Sequence, residues 1–179
     1  MPLEKFKLLV HYVVARCGDP ARLGATKLNK ILWYCDTFAY RAFGAPITDE
    51  TYMKQPKGPV PRHLLRMVRE LEEEGKILVR MTQRFNYPFR EFISLVDADS
   101  SAFSQREIEV IGDVMTAICD GHTATSISDL THDQIWEAAN IGEDIPLYAT
   151  LAGEAGEITD EVTAWADNII KEAEARRAA

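Results

Sequence analysis

The chain has 179 residues, 46% of them hydrophobic and 27% charged, the profile of a globular protein long enough for one domain with a sizeable core. No apolar run approaches the roughly 20 residues that span a bilayer, and the opening Met1-Pro2-Leu3-Glu4-Lys5-Phe6-Lys7 lacks a signal peptide's apolar segment, so a cytoplasmic protein with no membrane partner is expected. Net charge is −8 but uneven: residues 1–53 carry seven basic and five acidic side chains, residues 54–96 nine and five, and residues 97–179 four and eighteen. The first half can present a positive face and the second cannot, which fits either a surface made for a charged partner or a solvated acidic face.

The first helix is predicted from Pro2 to about Arg16, with Leu3, Phe6, Leu9, Val10, Val13 and Val14 on its apolar stripe. Gly18-Asp19-Pro20 breaks it. A second helix is expected to start near Thr26 as N-cap and to end at Phe43-Gly44, where glycine takes the left-handed C-cap. Leu28, Ile31, Leu32, Cys35 and Ala39 form its buried stripe. Lys27, Lys30, Tyr34 and Arg41 fall on another face, with Asn29, Trp33, Asp36 and Tyr40 on a third. A surface helix rarely spends aromatic and amide side chains outside its stripe. Those faces are therefore either packed inside the domain or hold a partner.

A short strand is expected through Thr51–Lys54, after which Gly58-Pro59-Val60-Pro61 reads as the entry to a third helix ending at Glu74, with proline in the first turn. Gly75 stops it. Segments Ile77–Met81 and Phe89–Val96 read as a hairpin around a long loop. Ser104-Gln105-Arg106-Glu107 is a capping box for a helix carrying Ile108, Ile111, Val114, Met115 and Ile118. A short helix is expected near Thr125–Leu130, and a second box, Thr131-His132-Asp133-Gln134, opens a helix closing near Gly142. A last helix is predicted over about 160–177, starting at Thr159-Asp160-Glu161. The expected fold is mainly α, with a small β-hairpin or antiparallel sheet, in a single domain over 1–179 whose core covers about 5–150.

Chemical motifs are sparse. Cys17, Cys35 and Cys119 are scattered without a Cys-x-x-Cys, which fits reduced thiols better than disulfides or zinc. The four histidines lack metal-ligand spacing, and no glycine-rich loop exists to cradle a phosphate, so no metal or cofactor is expected. A hydrolase using Cys35 with His63 or His132 is the weakest reading, because Cys35 sits in an apolar stripe. His132 reads as a first-turn residue that hydrogen-bonds locally. A helix followed by a hairpin outlines a winged-helix unit, and Arg62, Arg66 and Arg69 would be its phosphate contacts. Four glutamates on the same helix and the acidic total weigh against nucleic acid. Protein binding remains, with Trp33, Tyr34 and Tyr40 as aromatic anchors. The alternative is that these rings complete the core.

Three segments, in order, resemble the Panacea, or SocA-like, antitoxin domain: Lys27-Leu28-Asn29-Lys30-Ile31-Leu32-Trp33-Tyr34-Cys35-Asp36; Lys57-Gly58-Pro59-Val60; and Ser128-Asp129-Leu130-Thr131-His132-Asp133-Gln134-Ile135-Trp136 followed by Ile145-Pro146. The resemblance implies a mostly helical domain that neutralises a protein toxin, encoded in the adjacent gene, by direct contact and without chemistry of its own. It places Lys27, Lys30, Trp33, Tyr34, Asp36, Lys57, Gly58 and His63 near the functional surface. Asn29, Pro59, Val60, Thr131, His132 and Trp136 then belong to the structural motif, with Gly58 and Pro59 setting the backbone. A related expectation is a proteolytic adaptor that delivers its partner to a protease through the acidic C-terminal half.

Overall fold

Helix α1 (Pro2–Cys17) carries the predicted stripe inward, and Phe6, Leu9, Val10 and Val13 are fully buried. The structure, a computed structural model, describes residues 2–154. The helix expected beyond residue 159 lies outside them. Helix α2 (Pro20–Phe43) is two helical segments joined at Gly24, so its main part starts close to the expected Thr26. The short leading segment has Asp19 as N-cap, accepting from the Ala21 N–H, and Pro20 in its first turn. The apparent breaker Gly18-Asp19-Pro20 is therefore also a helix start. Gly24 (φ 61°, ψ 166°) interrupts this helix, and Phe89 packs so closely on it that a Cβ would lie 2.7 Å from the ring. Gly44, at φ 76°, closes the helix as expected.

Strand β1 (Tyr52–Gln55) is the centre of a three-stranded antiparallel sheet, flanked by β2 (Gly58–Pro61) and β5 (Asp144–Ile145). Gly58-Pro59-Val60-Pro61 is thus a strand, not a helical first turn. Proline's missing N–H and fixed φ suit an edge strand as well as a first turn, and pairing of Lys54 with Pro59 and Tyr52 with Pro61 selects the strand. Helix α3 (Leu64–Glu73) follows, with Leu64, Met67, Val68 and Leu71 buried. Strands β3 (Ile77–Arg84) and β4 (Tyr87–Ser94) form a longer hairpin than expected. Its connection is the two-residue turn Phe85-Asn86, both at positive φ, as a tight hairpin requires.

Helix α4 (Gln105–Gly121) has the predicted Ser104–Glu107 capping box. Helix α5 (Ala124–Leu130) has a further box, Thr123 with Ser126. Helix α6 (Gln134–Ala138) is capped by Asp133 accepting from the Trp136 N–H, in place of the expected Thr131 box, and is shorter than predicted. A 3-10 helix, Leu147–Glu154, closes the described chain. The fold is mainly α, with small antiparallel sheets of three and two strands. Among the described residues no helix is long and apolar enough to cross a membrane.

Two apolar clusters lie on different sides of α2. The larger joins its predicted stripe to α1, α3, α4 and the base of the β3–β4 hairpin, through residues such as Leu71, Ile77, Phe92 and Ile111. The smaller consists of Trp33, Tyr52 and Ile145, with Tyr34, Ile135, Trp136, Ala139 and Leu147 packed against it. Helix α2 is therefore covered on more than its stripe, which accounts for the aromatic side chains on its other faces. Ion pairs tie α1 to its neighbours: Lys5 reaches Glu107 at 2.7 Å, and buried Lys7 reaches Glu74 at 2.8 Å with Glu70 at 3.5 Å.

Candidate partner-binding site

The face of α2 bearing Lys27, Lys30, Tyr34 and Arg41 runs past four different environments. Lys27 donates to the carbonyl of Cys119 on α4 (3.2 Å). One turn on, Lys30 is only 1% exposed, and its ammonium donates to the carbonyl of Pro59 (3.3 Å). Burial pulls its pKa down to about 7, because no carboxylate compensates the cost of removing the charge from water. Gly58, at φ 97°, lies directly against this amine and Thr131 Oγ1, and a Cβ there would collide with both. Thr131 donates to the Ser128 carbonyl (2.8 Å), and Ser128 donates to the Lys57 carbonyl (3.0 Å). The first, second and third sequence motifs thus meet around one buried lysine.

The third face of α2 is also internal. Trp33 is 4% exposed and packs edge-on against Tyr52, with ring centroids 5.0 Å apart. Asp36 is fully buried. Its Oδ1 accepts from the Thr48 N–H (2.8 Å), and its Oδ2 from the Thr48 hydroxyl (2.6 Å) and meets the Tyr52 hydroxyl (2.7 Å). Burial raises the Asp36 pKa to about 6, against the lowering effect of these donors. Tyr52 OH also lies 2.8 Å from the Leu32 carbonyl, which can only accept. One hydroxyl proton cannot serve both oxygens, so a protonated Asp36 that donates to Tyr52 satisfies the whole network. Asn29 turns back on its own helix, donating to the Ala25 carbonyl (2.8 Å).

Burial corrects the expectation that Lys30, Trp33, Asp36 and Gly58 offer side chains or backbone at a surface: they are interior groups that join α2 to β1, β2 and α5. Lys57 is exposed, and Pro59 is buried beside half-buried Val60 in β2. His63 is half-buried at the start of α3, with Nδ1 3.0 Å from the buried carboxylate of Glu50, which also accepts from the Thr51 N–H (2.9 Å). Trp136 donates to the Gln55 carbonyl (3.1 Å) and is stacked between His132, at 4.0 Å, and the Lys54 ammonium, at 4.0 Å from the ring. Lys54 in turn donates to the carbonyls of Ala139 (2.8 Å) and Glu137 (3.3 Å). His132 therefore braces by stacking. Its backbone N–H makes the local bond, to the Asp129 carbonyl (3.1 Å), while among the described residues its buried Nε2 has no hydrogen-bond partner.

Thr48, Glu50, Tyr52 and Lys54 were not legible as network members in the sequence. The alternation of Tyr52 and Lys54 along a strand was their one signal, and it marks only which side chains point inward.

The other chemical readings meet specific obstacles. Cys35 is fully buried, and its thiol is pushed up by that burial and by Asp36, the opposite of an activated nucleophile. Arg62 precedes α3 and pairs with Asp144, while Arg66 pairs with Glu70 at 2.8 Å. Arg69 is exposed on α3, so the three arginines do not form one uncommitted basic face.

Among the described residues, the covering over the Tyr34, Phe38 and Arg41 side of α2 is incomplete. Trp33, Tyr34, Thr37, Phe38 and Arg41 line an open cleft of about 350 Å³, closed on its far side by Asp133, Gln134, Ile135 and Thr150. Tyr34 and Phe38 pack ring against ring at 5.3 Å, and the Arg41 guanidinium lies 5.8 Å from the Phe38 centroid. Burial, then the charge of Asp133, raises the Tyr34 pKa to about 12, so its hydroxyl stays protonated as a donor at neutral pH.

The family profile described as "Antitoxin SocA-like, Panacea domain" matches residues 28–137. Nothing matches among curated proteins or among solved structures. The matched span runs from the second residue of the Lys27–Asp36 segment to Glu137 in α6 and includes Lys30, Asp36 and Trp136 with their hydrogen-bond partners Pro59, Thr48, Tyr52 and Gln55. The chain belongs to the SocA-like, Panacea-domain antitoxin family.

Proposed function

We propose that this chain is the antitoxin of a toxin–antitoxin pair and that, as a single cytoplasmic domain, it neutralises a protein toxin from the adjacent gene by occluding it. The observation that carries this reading is the cleft at the open end of α2. There helix α2 and the third family segment contribute aromatic rings, an arginine and an aliphatic side chain to one concave surface, the composition in which interface hot spots form. In this reading Tyr34, Phe38, Arg41 and Ile135 touch the toxin. Lys30, Trp33, Asp36 and Gly58 act behind them by fixing α2 against the sheet, with His132 and Trp136 bracing the far wall. Lys27, Lys57 and His63 lie outside the lining of this cleft and would contribute only to a wider footprint.

The experiment is co-expression with the adjacent reading frame. That frame alone is expected to stop growth, and this chain to restore it and to co-purify with its product. If the neighbour is harmless, or the two proteins neither rescue nor bind, the antitoxin reading fails. Phe38→Asp places a charge in the cleft at a side chain already 41% exposed, and is expected to abolish rescue. Leu65→Asp on α3, 68% exposed, is expected to retain it. Rescue by both variants would reject the cleft while leaving the antitoxin role in place.

A further inference from the structure

The 3-10 helix Leu147–Glu154 packs against α2 and α6, and its Thr150 lines the cleft, with the hydroxyl donating to the Leu147 carbonyl at 2.6 Å. The described residues end just beyond, at Glu154. Ala155 to Ile158 separate that point from Thr159, where the last helix predicted from the sequence begins. The five peptide steps from Glu154 to Thr159 span at most ~18 Å, so that helix starts close to the cleft. Over about 160–177 it is amphipathic: Val162, Trp165, Ile169 and Ala173 share one stripe, with Asp160, Asp167, Lys171 and Glu174 opposite. Most of a helix's stability in a protein comes from packing such a stripe, so this one needs an apolar seat. Three concave surfaces border the 3-10 helix. One is lined by Asp49, Glu50 and Asp144, whose carboxylates repel a helix that opens with Asp160 and Glu161. Another is walled by Ala138, Ala139, Ala149 and Ala152, small side chains that give an indole little to pack on. The cleft on α2 offers rings, Tyr34 and Phe38 with centroids 5.3 Å apart, facing Ile135. Aromatic rings gain from edge or offset contact beyond simple burial. Its charges agree as well: Arg41 lines it, and the Asp133 carboxylate on the far wall is committed to capping α6.

We propose that the cleft on α2 is the docking site of the chain's own helix at about 160–177, which seats Trp165 against Tyr34, Phe38 and Ile135 and brings its acidic first turn to Arg41. The docking itself is independent of the antitoxin reading. One consequence does rest on that reading: toxin and helix compete for a single seat, so the toxin binds by displacing the helix.

The test is hydrogen exchange of the full chain, read by mass spectrometry with no toxin present. Amides of 162–170 are expected to exchange at least about tenfold more slowly than an unstructured chain, whatever the protein concentration. Phe38→Asp leaves the sequence of 160–177 and its intrinsic helix propensity intact, and is expected to remove that protection. Trp165→Asp is expected to remove it too, while Trp165→Phe retains most of it. Ala138→Lys, which alters the alanine-walled groove and not the cleft, is expected to leave it unchanged. Peptides from α1 and the β3–β4 hairpin report whether each variant stays folded, and the two Trp165 variants carry the test if Phe38→Asp disturbs them. Four results would each overturn the proposal: unprotected amides in wild type, protection that survives Phe38→Asp, protection lost in Ala138→Lys, or protection that depends on concentration, as docking on a second copy would give. Failure of a toxin to bind leaves all of these measurements standing, so the two readings fail separately.

Discussion

Gly58→Ala adds one methyl group where β2 passes over Lys30 and Thr131, and its cost can be worked from two separable causes. The backbone stands at φ 97°, which an L side chain adopts at about 1–2 kcal/mol. The new Cβ also collides with Lys30 Nζ and Thr131 Oγ1, and overpacking of an interior site costs about 1–3 kcal/mol. The amine can retreat only by giving up the Pro59 carbonyl, and the threonine hydroxyl, one bond from its Cβ, has little room to move. Against these, alanine restricts the unfolded chain and returns about 0.4–1 kcal/mol. The net loss is about 2–4 kcal/mol, a large share of a domain's marginal stability. Gly44→Ala is the matched control: φ is 76°, but nothing lies within 4 Å of the new Cβ, so only the backbone cost applies. Urea unfolding of both variants at pH 7.5 measures the difference, which should be about 1–3 kcal/mol with unchanged m-values. If Gly58→Ala is no less stable than Gly44→Ala, the buried contact of Gly58 with Lys30 and Thr131 is refuted.

Lys30→Met removes a buried amine whose pKa is held at about 7 against 10.5 when unfolded. Between those values the unfolded chain binds more protons, so wild-type stability rises with pH across that window, while the variant's contribution is flat. The variant should gain about 1–3 kcal/mol at pH 6 and lose that advantage towards pH 10, measured by denaturation at each pH. Asp36→Asn keeps the network satisfiable, because the amide N–H groups can donate to Tyr52 OH and Thr48 Oγ1 while Oδ1 still accepts from the Thr48 N–H. The folded chain binds more protons than the unfolded one between pH 3.8 and about 6, so Asp36 contributes less stability as pH rises through that window. Cys35, Glu50 and Tyr52 share this environment, and none supplies a cation. Relative to wild type, Asp36→Asn should therefore gain stability from pH 4 to 6, whereas Asp36→Ala should lose about 2–4 kcal/mol at pH 7; equal damage from both would reject the proton count. Trp33→Ala should cost about 3–5 kcal/mol by emptying the Trp33–Tyr52–Ile145 cluster, seen as a drop in urea midpoint. A loss below 1 kcal/mol would contradict its core placement.

The sequence by itself determined the elements whose signals are local. Apolar spacing placed α1 and α4 and the stripe of α2, since a 3.6-residue period needs no partner to be recognised. The Ser104 box and the Gly44 cap were legible for the same reason, and three ordered segments were enough to resemble the right family. Where a signal had two local solutions, the tertiary structure chose between them. Gly58-Pro59-Val60-Pro61 suits a helix start and an edge strand equally, and pairing with Tyr52–Gln55 made it a strand. Asp19-Pro20 ends one helix and caps the next. The faces of α2 beyond its stripe presented the same ambiguity on a larger scale. Trp33 and Asp36 became core because Tyr52 and Thr48 arrive from the following segment, and Lys30 because Gly58 and Thr131 close over it. Tyr34 and Phe38, on the same helix, line an open cleft instead. Burial is a property of what packs against a residue, and those neighbours come from chain segments that no local period or motif brings together.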